Sequence, residues 1–221
     1  MTKITFISDT HMHESDVKIE PCDILVHTGD IDARDLVDII HFNKWFSKQD
    51  TKHRVFVPGN HDFFFESHLL LCRDTMTGTH VLVNNSVIIE GLKFWGSPIT
   101  PTFFNWAFMA DRGAEIKQYW DMIPNDTDVL LTHGPVYGIL DYVERSGENV
   151  GCKDLLEAVK RVKPMIHACG HIHCSYGEDS IIHEELECLN EKAVKRKTHF
   201  INSALMSERY RIVNKPITIE V

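Results

Sequence analysis

Short apolar runs of strand length, several ending in a polar or glycine-containing turn, constrain this chain more than any other feature. They read ITFISDTH (4–11), ILVHTGD (24–30), RVFVPGNHD (54–62), VLLTHGP (129–135) and MIHACGHIH (165–173), with THFINSA (198–204) and ITIEV (217–221) following. Their β-rich composition and length argue strands. Helical spacing lies between several of them. Residues 35–49 place Leu36, Ile39, Ile40, Asn43 and Phe46 on one face with Trp45 nearby. Residues 66–73 and 111–122 are shorter candidates, and 153–162 turn Leu155, Leu156 and Val159 inward. The middle differs: 81–83, 87–90 and 93–95 read as short strands joined by NNS and EGL, an antiparallel meander. Strands alternating with helices around such a stretch predict an α/β layered domain with more than one sheet.

The 221 residues fit one domain, 1–221, with a core large enough for two sheets. Residues 177–197 run acidic and then basic, and read as a charged insertion or solvated hairpin. The net charge of −9 supplies no global basic field, which counts against nucleic acid as a partner. A bound metal could still attract an anionic substrate. The six cysteines, Cys22, Cys72, Cys152, Cys169, Cys174 and Cys188, form no CxxC and read as reduced thiols of a cytoplasmic protein. No apolar run approaches the ~18 residues of a membrane helix. The first strand begins near Thr2 and runs into SDTH, leaving no room for a cleaved leader. Monomer and dimer are both open.

Metal-type residues follow five of the runs: Asp9 and His11; Asp30; Asn60 and His61; His133; His171 and His173. In extended backbone, residues i and i+2 point the same way, so Asp9 can share a site with His11, and His171 with His173. Loops after strand ends are where open α/β sheets place a binding crevice. Carboxylates, imidazoles and one carboxamide, without thiolate, suit manganese, iron, zinc or cobalt. Asp30 stands alone, and a lone carboxylate can bridge two ions through its two oxygens. Two ions about 3.5–4 Å apart form the clamp used for phosphoryl transfer. Each motif alone is weak. The ordered series DxH, GD, GNHD, THGP and GHxH is not.

That series resembles the calcineurin-like metallophosphoesterase superfamily. GSPITP and the ending INSALMSERYRIVNKPITIEV resemble its small cytosolic group of brain-expressed vertebrate members and bacterial relatives. The resemblance implies a four-layer αββα sandwich, two mixed β-sheets flanked by helices with a dimetal site at one edge. It implies two divalent ions, manganese first, with iron, zinc, cobalt or nickel as alternatives. Asp9, His11 and His173 would hold one ion, Asn60, His133 and His171 the other, and Asp30 would bridge. His61 would donate a proton to the leaving oxygen or stabilise the transition state, and Asp62 would orient His61. A metal-bridging hydroxide would attack, since no serine or cysteine in these motifs is placed as a nucleophile. The 177–197 stretch is longer than the group's pattern.

On the substrate side, ITPTFFNWAFMADRG places Phe103, Phe104, Trp106 and Phe108 close together. Two readings are open: a buried segment, or an aromatic platform on which a nucleobase stacks. Asn105 reads as a base-edge contact or a turn cap, and Arg112 as a phosphate contact or a surface arginine. Phe63, Phe64 and Phe65 cannot share one environment if a helix begins there, since neighbours differ by ~100°. Phe64 joins Phe104, Asn105, Trp106 and Arg112 as the candidate substrate set. His27, His167, Asn202 and Ser203 read first as structural, and His13 as exposed or at the mouth. The leading reading is a phosphodiesterase acting on small nucleotides, cyclic ones first. The alternatives are a phosphomonoesterase or protein phosphatase, a nuclease, and a nucleotide-binding regulator of low turnover.

Overall fold

A computed structural model describes residues 1–186 and 193–221, with the side chains of 184–186 and 193–195 left aside. In chain order the elements begin with β1 (Lys3–Ile7), β2 (Cys22–His27), α1 (Leu36–Phe46), β3 (Thr51–Phe56), α2 (Phe63–Ser67), α3 (Leu69–Thr75) and β4 (His80–Val81). There follow β5 (Asn85–Ile89), β6 (Leu92–Ser97), β7 (Thr100–Pro101), β8 (Met109–Ala110), α4 (Ala114–Asp121), β9 (Val129–Thr132), β10 (Tyr142–Val143) and β11 (Glu148–Asn149). The last are α5 (Lys153–Val162), β12 (Ile166–Cys169), β13 (Gly177–Leu186), β14 (Ala193–Asn202) and β15 (Ile217–Glu220).

Two large mixed sheets carry the fold, in the orders β15-β1-β2-β3-β4 and β13-β14-β12-β9-β6-β5. Strands β1 to β4 run parallel, as do β6, β9, β12 and β14, and antiparallel strands close three of the four edges. Side chains alternate across each strand. Ile4, Phe6, Ile24, Val26 and Val55 meet Phe94, Val129, Leu131, Ile166 and Ile201 between the sheets. The opposite faces pack on helices: Ile7, Leu25 and Phe56 with Ile39, Phe42 and Phe46 of α1, and Trp95 and Leu130 with Trp120 of α4 and Val159 of α5. The order is helix, sheet, sheet, helix. The central strands read as unbroken apolar runs because both of their faces are covered.

Three local expectations change. The predicted meander is only a β5–β6 hairpin, because β4 pairs parallel with β3 in the other sheet. Asn84 and its neighbours therefore connect two sheets rather than turn a hairpin. On α1 the buried residues are Ile39, Phe42 and Phe46, while Ile40 is exposed, so the inward face is rotated toward Phe42. The single helix expected over 66–73 is two, meeting at His68 (φ −136°, ψ 40°). The charged segment begins and ends in the antiparallel β13–β14 pair at the edge of the second sheet. Its centre, 187–192 with Cys188, lies outside the described residues. Cys22, Cys72, Cys152, Cys169 and Cys174 are free thiols. Among the described residues no helix is long and apolar enough to cross a membrane.

Candidate metal centre

The loops after β1, β2, β3, β9 and β12 bring together the residues that the motifs single out. Two clusters form. Asp9, His11 and His173 offer ligand atoms all within 4.8 Å of one another, and so do Asp30, His133 and His171. One oxygen of Asp30 faces both: Oδ2 lies 3.8 Å from His11 Nε2 and 3.4 Å from His133 Nε2. The other, Oδ1, accepts the His61 main-chain N–H at 2.8 Å. Asp30 thus turns one oxygen, not two, between the clusters. Asn60 Oδ1 lies 2.8 Å from His133 Nε2, beside the second cluster.

Hydrogen bonds fix the outward nitrogen of two imidazoles. His133 Nδ1–H donates to the Thr28 carbonyl (2.9 Å) and His173 Nδ1–H to that of Ser207 (3.2 Å), leaving each Nε2 aimed inward. His11 is buried with both ring nitrogens unpartnered, and Asn60 Nδ2 is likewise unpartnered. A divalent cation would partner the lone-pair nitrogen of His11; it does not account for the Asn60 Nδ2 donor. Burial alone would raise the Asp9 and Asp30 carboxyls, but His173 beside Asp9 and His133 beside Asp30 hold both far below the carboxylate range. Burial opposes a proton on His133, yet Asp30 and then Asp9 raise its imidazole to about 9. Burial pushes His171 down to about 3. The carboxylates draw positive charge into this centre, and the donor set fits divalent cations.

Backbone strain marks the same positions. Asp9 (φ 54°), His11 (41°), Asp30 (61°) and His171 (69°) all sit in the left-handed region, which non-glycine residues seldom occupy. Beside them, glycine permits close approach. A Cβ on Gly59 would meet Asp30 Oδ1 and come within 2.7 Å of His133 Cε1; one on Gly170 would strike Ser8 Oγ and Asp9 Oδ2. Gly29 (φ 110°) has no room either, with His133 Nδ1 2.6 Å from the Cβ position. Sequence reasoning placed glycines in these turns but not the close approach they allow; each directly precedes a ligand candidate.

Asp62 does not orient His61. It is fully buried, and its oxygens accept four main-chain N–H groups: Gly59 (2.7 Å), Asp30 (3.0 Å), Ile31 (3.1 Å) and Ala33 (3.3 Å). It staples the Asp30 loop to the Gly59 turn. Burial and the nearby Asp30 charge push its carboxyl up to about 7, against the main-chain donors, which favour the anion. His61 stands over the centre instead, its ring 5.1 Å from His11 and 4.9 Å from Trp106.

The aromatic loop lies at this mouth. Ala107 N–H donates to Asn60 O (3.0 Å) and Phe108 N–H to Glu66 Oε1 (2.6 Å), tying the loop to the β3 turn and α2. Phe103, Phe104 and Trp106 form one ring cluster, with Phe104 71% exposed, while Phe108 is buried. Asn105 is exposed. Arg112 is taken up elsewhere: its guanidinium donates to the carbonyls of Gly151 (2.8 Å) and Val150 (2.6 Å). Phe64, expected at the cleft, instead stacks on His68 (4.4 Å) and packs against the core; Phe65 is buried on Phe56, and Phe63 is the outward ring. His13 is exposed, beside Asp16.

His27 and His167 are buried, neutral struts. Gly29 N–H donates to His27 Nδ1, so Nε2–H donates to Thr10 Oγ1 (3.1 Å). Thr132 Oγ1 donates to Gly134 O and therefore accepts from His167 Nε2–H (2.8 Å). Asn202 holds the carbonyls of Leu140 and Ile172, the latter between His171 and His173. Tyr210 is a site residue that the sequence reading missed. Its ring lies 4.8 Å from His11 and 5.6 Å from His173.

A sequence model described as calcineurin-like phosphoesterase matches residues 2–175. The chain is 28% identical to metallophosphoesterase domain-containing protein 1 of Homo sapiens, over 100% of this chain and 71% of that protein. It is 30% identical to UPF0046 protein K07C11.7 of Caenorhabditis elegans, over 99% of this chain and 75% of that one. The crystal structure of TT1561 of Thermus thermophilus shares the fold, with a TM-score of 0.52 at 12% identity, covering 91% of this chain and 88% of that one. Another solved structure gives 0.62 at 15% identity, covering 91% and 90%.

Proposed function

The chain belongs to the calcineurin-like phosphoesterase family and is a dimetal phosphoesterase, and from that premise we propose that it hydrolyses phosphodiester bonds of small nucleotides, cyclic nucleotides first among them. The observation that carries this reading is the ring series Phe104–Trp106–His61, which leads from an exposed aromatic surface to the edge of the two clusters.

In this reading Asp9, His11 and His173 would hold one ion and Asn60, His133 and His171 the other, with Asp30 placed to serve both. The family resemblance puts manganese first, and this oxygen and imidazole set also suits iron, zinc or cobalt. When bound, two such ions supply positive charge against the phosphate and acidify water at neutral pH. The chain's own groups do the rest. Asp30 Oδ1 pins the His61 main chain, and the His61 imidazole gives its proton to the leaving oxygen. Trp106 and Phe104 stack on the base, for which each ring contact contributes roughly 1–3 kcal/mol. Asn105 presents an amide to the base edge. Arg112 and Phe64 leave the substrate set because their side chains are engaged elsewhere. The free cysteines and the lack of CxxC support a reducing, cytoplasmic setting.

Turnover of 2′,3′- and 3′,5′-cyclic nucleotides with added manganese tests the proposal. Absence of metal-dependent turnover on all of them sinks the cyclic-nucleotide claim. Bis-p-nitrophenyl phosphate against p-nitrophenyl phosphate decides diester from monoester.

A further inference from the structure

Residues 206–212 form a small hairpin beside the metal centre, outside the ligand and platform residues. Met206 pairs with Ile212, and Ser207 N–H donates to Arg211 O and Tyr210 N–H to Ser207 O, both at 2.9 Å. Its base is bolted to the end of β14: Val213 and Asn214 N–H share the Leu205 carbonyl, and Asn214 Nδ2 donates to Ala204 O. Its near arm is bolted to the metal centre, since the Ser207 carbonyl takes the His173 Nδ1–H.

The hairpin thereby holds Tyr210 in a costly place. Its φ of 54° is a true outlier for a bulky residue, and it stays 49% exposed although its ring packs edge-on with His11 and His173. A strained, half-exposed aromatic on two ligand candidates is not explained by core packing. His11 touches both Tyr210 and His61, and His61 leads to Trp106. Tyr210 and His61 therefore both border His11, with the Trp106 platform next to His61. On the His173 side of the hairpin lies an open cleft of about 400 Å³, to which the hairpin contributes Ser207, Glu208 and Arg209. That volume falls in the range of small-ligand sites.

We propose that this hairpin is the second wall of the substrate site, with Tyr210 packing on the ester substituent that lies across the phosphate from Trp106. Tyr210 is thus a specificity residue that favours phosphodiesters over phosphomonoesters. The physical reason is the ring itself. Its face is electronegative, so it gains contact area from an organic group and nothing from a bare phosphate oxygen. The proposal rests on the phosphoesterase reading and adds the residue that selects the diester.

The test combines binding with turnover. Calorimetry on manganese-loaded His61→Ala protein, with and without Tyr210→Ala, uses bis-p-nitrophenyl phosphate and p-nitrophenyl phosphate as probes. Tyr210→Ala is expected to weaken the diester about tenfold and the monoester less than twofold. Tyr210→Phe retains the preference, and manganese content stays at the parent value. In the His61-containing enzyme the same change raises KM for the diester and leaves kcat within twofold. Equal weakening of both probes, no weakening, or loss of manganese in Tyr210→Ala and Tyr210→Phe alike overturns the proposal. The calorimetry decides it even if cyclic-nucleotide turnover fails, so the two failures remain distinct.

Discussion

Replacing Asp62 by Asn separates two roles for this residue. If Asp62 served His61, the amide would slow catalysis and leave the fold alone. The geometry says otherwise. Both carboxylate oxygens are used twice, each by two main-chain N–H groups at 2.7–3.3 Å. An amide offers one oxygen, and its NH₂ must face two N–H donors whichever way it turns. Above about pH 7, where the Asp62 carboxylate predominates, two hydrogen bonds to a charged acceptor are lost, at roughly 1.5–3 kcal/mol each. Removing a buried negative charge beside Asp30 offsets part of that, so a net loss of about 3 kcal/mol is expected. For a domain of this size that lowers the melting temperature by roughly 6–12 °C. Urea and thermal unfolding of the purified protein, with manganese titration, read it directly. Manganese affinity falls too, because Asp30 and Asn60 sit on the two segments that Asp62 joins. An unchanged melting temperature with only kcat reduced would refute the staple and restore Asp62 as a partner of His61.

Three further outcomes follow from the same centre. Gly59→Ala forces a methyl group against Asp30 and His133, and manganese titration should show at least tenfold weaker binding. Trp106→Ala removes the ring that joins His61 to Phe104; KM for a nucleotide diester rises about tenfold, by loss of stacking, with kcat little changed. Burial holds His27 and His167 down to about 3 while the unfolded chain titrates near 6.5. Below that value the unfolded state binds the extra protons, so stability falls as pH drops from 6.5 toward 3, by up to about 1.4 kcal/mol per pH unit for each ring. Urea midpoints at pH 7, 6 and 5 check it, and His167→Phe should flatten the slope.

Residues that lead into the site from strand ends were legible in the sequence because each follows an apolar run. The extended i, i+2 spacing expected of Asp9 with His11 and of His171 with His173 does not hold: Asp9, His11 and His171 have positive φ, and His171 and His173 fall in different clusters. An apolar run fixes the strand, and the turn after it fixes where a DxH or GHxH lands. What was not legible depends on contacts between distant segments. Strand β4 is too short to show which sheet it joins, so its pairing with β3 hides behind a hairpin-like stretch. The family resemblance implied that Asp62 serves His61, but successive residues in a tight turn point apart. Three of its four donors, at 30, 31 and 33, come from another loop, and the fourth is Gly59. Phe64 and Arg112 were misplaced for the same reason: His68 and the carbonyls of 150 and 151 compete for them. Tyr210 lies 37 residues beyond His173, outside the five metal motifs, so none of them announced it.

The strained ligand positions bear on how the centre is built. Four candidates with positive φ cost about 1–2 kcal/mol each relative to ordinary backbone. Such strain persists only where the surroundings over-determine it. Here they do: Gly29 O accepts from Asp9 N, Asp30 O from His11 N, and Asp9 from His171 N, so the strained residues hold one another. Three glycines leave no space for the segments to part and refill. The ligand atoms are therefore set in place by main-chain bonds and close packing, not by the ion alone. The consequence is specific. Exhaustive chelation should leave the two-sheet core intact, with a cooperative melt and native far-UV circular dichroism, while a variant that breaks the main-chain lattice, such as Asp62→Asn, should lose stability even when manganese is in excess. A protein that unfolds on chelation would show that the metal, and not the lattice, holds these loops together.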